Sequence, residues 1–309
     1  MIAFLLISCG TASTPLTGAS PSPVITALTG HIIFTRAGDK YGDDTVFVAK
    51  VDGTDEHQLS ELTQGCCPWA TRDGSRVLFA ANAPDRRVTA VTENLDGSQR
   101  VLLPLPKGTL SLGPGPFSPD GTLVALEGFN ESHSALEGIY LERASDGAGR
   151  RQVTKKHFFP GDFSPDGKQL LLFQNASVEH PLPGSLWLVN TDGSGLHQLT
   201  AAGTSVQCCF NYRWSPDGNK ILFADQGILW TIAPDGSGLR QVFKDAEGRL
   251  AITPTWSPDG SMIMFALDPT PNPFEHPVNG MYVILANGSG LKQVIGGDDF
   301  KREPVWVSG

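Results

Sequence analysis

One phrase constrains this chain more than any other feature, because the chain writes it five times. Its copies are Trp69-Ala-Thr-Arg-Asp-Gly74, Phe117-Ser-Pro-Asp-Gly121, Phe163-Ser-Pro-Asp-Gly167, Trp214-Ser-Pro-Asp-Gly218 and Trp256-Ser-Pro-Asp-Gly260. A truncated sixth, Pro304-Val-Trp-Val-Ser308, closes the sequence. Each full copy runs into an apolar strand such as Leu170-Leu-Leu-Phe173 or Ile221-Leu-Phe-Ala224. The aspartates at 73, 120, 166, 217 and 259 are 47, 46, 51 and 42 residues apart. That period is one four-stranded propeller blade, roughly 40–50 residues.

A second phrase interleaves with the first: an apolar strand, a tight turn and a short strand. Its turns are Asp52-Gly53, Asp96-Gly97, Asp146-Gly147, Asp192-Gly193, Asp235-Gly236 and Asn287-Gly288. Such turns need positive φ, which glycine supplies at no steric cost. The proline of Ser-Pro-Asp-Gly presets φ at the first turn position, and the aspartate bonds its own backbone. Each unit is therefore two hairpins in series, strands a, b, c and d. The chain enters order at His31-Ile-Ile-Phe-Thr-Arg36, a strand b without its strand a, and leaves at Glu303-Pro-Val-Trp-Val307, a strand a without its strand b. Pairing the two completes one blade from both ends and leaves no open edge. The predicted fold is all-β: a six-bladed β-propeller of four-stranded antiparallel blades over residues 30–309, closed by its N-terminal strand pairing with its C-terminal strand.

These phrases resemble the Trp-Ser-Pro-Asp-Gly-Lys repeats of TolB-type propellers, a WD40-like repeat family. The resemblance covers roughly residues 30–308. It implies the fold strongly and the function weakly, since such propellers serve periplasmic adaptors, peptidase gating domains and some lyases. The family's namesake carries an additional N-terminal α/β domain, and here a linker stands in that place.

Composition agrees with the repeat and excludes some functions. Thirty-five glycines, 23 prolines and only 18% charged residues favour many short strands. A formal charge of −9 without a basic stripe argues against nucleic acid. The first nine residues, Met1-Ile-Ala-Phe-Leu-Leu-Ile-Ser-Cys9, form an apolar run far shorter than the roughly 20 residues that span a bilayer. Leu6-Ile7-Ser8-Cys9 resembles a bacterial lipobox, which implies lipidation at Cys9; the departure is that no Lys or Arg precedes the run. Residues 10–29 lack charge, are rich in Thr, Ser, Pro, Ala and Gly, and read as a flexible linker. The expectation is an exported monomer on the periplasmic or extracytoplasmic side, held to the membrane only by a lipid on Cys9.

Strand direction alternates, so the a–b and c–d turns share one face and the b–c and d–a loops share the other. The first set is tight and repeated. The second is long and varied, the kind of surface that carries binding over a rigid scaffold. Residues just before the aromatic of strand a point toward the channel mouth, which nominates Phe159, Tyr212, Arg213, Arg302 and Glu303 as a binding rim. A plug of mutually paired side chains is the competing reading of the same residues. Trp69, Trp214, Trp256 and Trp306 are repeated and therefore read as wedges between blades.

Cys66-Cys67 and Cys208-Cys209 precede strands a three copies apart, so they oppose each other across the axis. Disulfides suit an exported chain, and adjacent cysteines can close a vicinal ring. Free thiols and a soft metal held by thiolates stay open. No Gly-x-Ser-x-Gly elbow and no His-Glu-x-x-His motif occurs. The repeated aspartates belong to turns, no cofactor loop is recognisable, and no metal is assigned. The reading is a non-catalytic envelope propeller that binds a protein or peptide on the b–c and d–a face. The alternatives are a small-ligand or glycan receptor at the channel mouth, and a metal-dependent lyase or hydrolase using His133, His180 and His276.

Overall fold

A computed structural model describes residues 25, 28–36, 44–59, 67–130, 136–175, 184–200, 206, 212–269, 280–297 and 299–308. Cys9, Cys66, Cys208, Cys209, His133, His180 and His276 lie outside the described residues, as does most of the linker. Among the described residues all regular structure is strand: β1 to β24 form six four-stranded antiparallel sheets. The six-bladed propeller is therefore the fold.

Closure follows the predicted route. β24 (Lys301–Val307) pairs antiparallel with β1 (His31–Arg36), with Ile32 opposite Trp306 and Ile33 opposite Val305. Together with β2 (Thr45–Lys50) and β3 (His57–Gln58) they make blade 1. Blades 2 to 6 follow in chain order. The chain docks before its first strand: Ile25 is buried, Leu28 packs beside it, and the Thr29 carbonyl accepts the Trp306 indole N–H at 3.0 Å. Those last residues of the expected linker are packed rather than free.

The turns behave as their residues require. In Ser118-Pro119-Asp120-Gly121, the Gly121 amide donates to the Ser118 carbonyl at 2.8 Å and Gly121 takes φ +70°. The Asp120 carboxylate accepts the Ser118 hydroxyl at 2.6 Å and the Thr122 amide at 3.0 Å. The same bonding recurs at Asp73, Asp166, Asp217 and Asp259.

The core is six interfaces rather than one centre. A strand in the middle of a blade buries both faces, so its side chains serve two neighbours by turns. In β13 (Gln169–Gln174), Leu170 and Leu172 pack with Ile139 and Leu141 of blade 3. Leu171 and Phe173 pack with Ile221 and Phe223 of blade 5. Phe117, Phe163, Trp214, Trp256 and Trp306 each wedge against the preceding blade. Trp69 corrects the expectation for the repeated tryptophans. It packs toward blade 3, only half-buried, while the interface of blades 1 and 2 closes on aliphatic side chains and Phe79.

Candidate functional site

The innermost strands line the axis, and each places the residues before its aromatic along that axis in register. Two of the residues immediately before an aromatic are charged: Asp162 on β12 (Phe159–Phe163) of blade 4, and Arg213 on β16 (Arg213–Trp214) of blade 5. Blade 5 stands opposite blade 2 in a ring of six. The Arg213 guanidinium crosses the axis and lies over the Trp69 ring, its Cζ 3.8 Å from the centroid. One of its nitrogens, Nη1, donates to the Gly161 carbonyl at 3.3 Å. Burial pulls the guanidinium down to about 10, opposed by the charges of Asp162 and Glu303. Burial also pushes the Asp162 carboxyl up to about 6, opposed chiefly by Arg213 and by the Trp214 amide, which donates to it at 2.9 Å. Arg213 thus crosses the axis as a septum, the plug reading of the nominated residues, and lines the cavity on the tight-turn side.

Above the septum, on the face of the variable loops, a cavity of about 220 Å³ opens. Cys67, Trp69, Glu127, Phe159, Tyr212 and Glu303 line it. Three of the five nominated rim residues therefore converge. Tyr212 is buried and stacks on Phe173 with ring centroids 5.0 Å apart. Phe159 lies edge-on to His157 at 5.0 Å. Glu303 sits on a bulge of β24 with φ +58°. That left-handed backbone is costly outside glycine, and such outliers gather where a side chain must be re-aimed. Glu303 accepts the Cys67 amide and the Thr35 hydroxyl, each at 3.0 Å, and so ties blade 1 to the entry of blade 2. Arg302 departs from the expectation: it turns out of the mouth and pairs with Asp44 at 2.5 Å.

Sequence reasoning missed Glu127, His157 and Asp162. Glu127 Oε1 meets His157 Nε2 at 2.8 Å. Burial raises the Glu127 carboxyl above its ordinary range, and the Glu127 hydrogen bond raises His157. The signal for Glu127 was a carboxylate within the apolar run Leu123-Val-Ala-Leu-Glu127. Asp162 satisfies the same positional rule that nominated Arg213. Of the four paired cysteines, Cys67 is described, at φ +61° beside the cavity. Its possible bridge partners are not among the described residues, so the disulfide expectation falls outside them.

No family model matches the chain. Over 177 residues it is 27% identical to the Tol-Pal system protein TolB of Anaeromyxobacter dehalogenans (strain 2CP-C), covering 55% of this chain and 38% of that protein. The crystal structure of TolB from Acinetobacter baumannii superposes with a TM-score of 0.69 at 18% identity, over 90% of this chain and 66% of that one. The propeller is TolB-like. The TolB-like chain spans less than half the length of the curated relative it matches. Its fold is shared more widely: oligogalacturonate lyase of Vibrio parahaemolyticus gives a TM-score of 0.56 at 13% identity, over 85% of this chain and 74% of that one.

Proposed function

We propose that this TolB-like propeller is an exported, non-catalytic adaptor of the cell envelope. It takes a protein or peptide partner on its b–c and d–a loop face, as a monomer tethered through a lipid on Cys9. The observation that carries the reading is the convergence of Phe159, Tyr212 and Glu303 on one cavity at the axial mouth. Aromatic rings beside fixed carboxylates supply the apolar anchor and the polar orientation that binding hot spots combine. The name of the sequence relative, a Tol-Pal system protein, supports a partner in the envelope.

The test is capture from native envelope extract by the immobilised full-length chain. Phe159→Ala and Glu303→Gln are expected to lower recovery of the partner about tenfold, the loss typical of a hot-spot truncation. Leu239→Ala, an exposed site away from the mouth, should leave it unchanged. Equal recovery by all three variants, or no specific partner for the parent, overturns the proposal. Cys9→Ala should move the protein from membrane to soluble fractions.

A further inference from the structure

The opposite mouth, on the tight-turn face, breaks the sixfold repeat at three places that meet. Four full copies carry proline after the serine of the turn: Pro119, Pro165, Pro216 and Pro258. The copy in blade 2 carries Arg72 instead. One place before the aromatic position, three copies carry Pro116, Thr255 or Val305 and blade 2 carries Trp69, while blades 4 and 5 carry Asp162 and Arg213. Arg72, Asp162 and Arg213 all line a single axial cavity of about 120 Å³ beneath the septum. Its walls are the aromatics of the ring and the turn prolines, interrupted by Thr71, Ser118, Thr255 and Ser257, and the hydroxyls of Thr71, Ser118 and Ser257 are already bonded to their own turn aspartates. Repeated residues serve the scaffold, which every blade needs. Charged departures that converge on one cavity are not explained by the scaffold.

The charges differ in how far they are already satisfied. Arg213 and Asp162 face each other and offset one another at the cavity floor. Arg72 is exposed at the rim; its charge is felt by Asp162, but it makes no direct ion pair among the described residues. The nearby turn carboxylates, Asp73 and Asp120, accept their own Thr71 and Ser118 hydroxyls at 2.6 Å. The vestibule is well below the roughly 300 Å³ of a drug-sized pocket, so it takes one side chain and not a cofactor. It opens onto a groove of about 440 Å³ between the turns of blades 2 and 3, and Thr71, Arg72 and Pro119 border both.

From this arrangement we infer that the tight-turn mouth binds the C-terminal residue of a peptide. Its carboxylate pairs with Arg72, its apolar side chain enters the aromatic vestibule, and the preceding backbone lies in the groove. A carboxylate placed deeper would meet Asp162, which is why the anion belongs at the rim. This site is on the face opposite the proposed partner surface and stands or falls independently of it.

Calorimetric titration of the full-length chain with N-acetyl-Gly-Gly-Leu tests it, with quenching of the vestibule tryptophans as a second readout. The free acid is expected to bind at least about tenfold more tightly than its C-terminal amide, because the charge-assisted pair is lost. Arg72→Pro restores the residue that four other copies tolerate, so it should fold normally and weaken the acid by a similar factor. Asp162→Asn should leave the preference for acid over amide in place. Equal binding of acid and amide, or unchanged affinity in Arg72→Pro, overturns the inference. So does the lack of saturable binding up to about 10 mM, weaker than any affinity of consequence. N-acetyl-leucine binding as tightly as the tripeptide would also overturn the peptide assignment, in favour of a free small acid.

Discussion

Asp162 shows how one residue can work against the trend of its own fold. The turn aspartates sit below their ordinary range because serine or threonine hydroxyls and backbone amides bond the ionised form, as at Asp120 and Asp217. A lowered folded-state pKa contributes stability that is present above the unfolded value and lost as pH falls below it. Asp162 has the opposite sign. Its folded value near 6 exceeds the ordinary 3.8, so the folded chain holds this proton more tightly than the unfolded one. Its effect is to make stability decline as pH rises from about 4 through about 6. Urea midpoints of the parent should show that decline, and Asp162→Asn should flatten it; an unchanged slope would refute the assignment. Carbon-detected titration should place the carboxyl midpoint near 6, and Arg213→Met, which keeps bulk but removes charge, should raise it further. At this scale the sequence revealed the position but not the environment. The rule about residues preceding the aromatic marks Asp162 and Arg213 alike, but nothing in one dimension says that Arg213 reaches an indole three blades away.

Among elements, the middle strands of the blades carry the packing. Leu171 and Leu172 are adjacent and both fully buried, but they belong to different interfaces. Truncating either to alanine should cost about 2–5 kcal/mol. Double-mutant cycles separate them: Leu171→Ala should couple with Phe223→Ala, and Leu172→Ala with Ile139→Ala, by more than about 0.5 kcal/mol. The crossed pairs should add. Coupling of similar size in the crossed pairs would contradict the two-sided packing. The continuous apolar runs that made these strands visible in the sequence have the same physical origin, burial on both faces. The bulges of the innermost strands were not visible. Thr253 and Glu303 take φ of +51° and +58°, each just before a proline and three residues before a tryptophan. Proline inside a strand hinted at irregularity. The direction in which the bulge turns Glu303 depends on the neighbouring blade.

The whole molecule depends on its clasp. β24 supplies the innermost strand of blade 1, and without it β1 presents an unpaired edge next to the axis. A chain lacking residues 300–309 is expected to lose cooperative unfolding and to aggregate, as followed by melting and light scattering. Trp306→Ala alone keeps the strand and should cost about 3–5 kcal/mol while the ring stays closed. A truncated chain that melts like the parent would show that the ring does not need its closure. This closure was legible in full, because a half-blade at each end of a repeat has only one place to go. The docking of Ile25 and Thr29 against Trp306 was not, since an uncharged segment rich in threonine and proline gives no sign of packing.

The crossing of Arg213 onto Trp69 has a last consequence for the shape of this protein. A propeller is drawn as a tube, but here a side chain of blade 5 reaches the indole of blade 2 across the bore, with one cavity on each side of the crossing. The positive charge at that crossing is felt by Glu303 on one side and by Asp162 on the other. A charge held in either cavity would act on that same guanidinium, and any coupling between the two would run equally both ways.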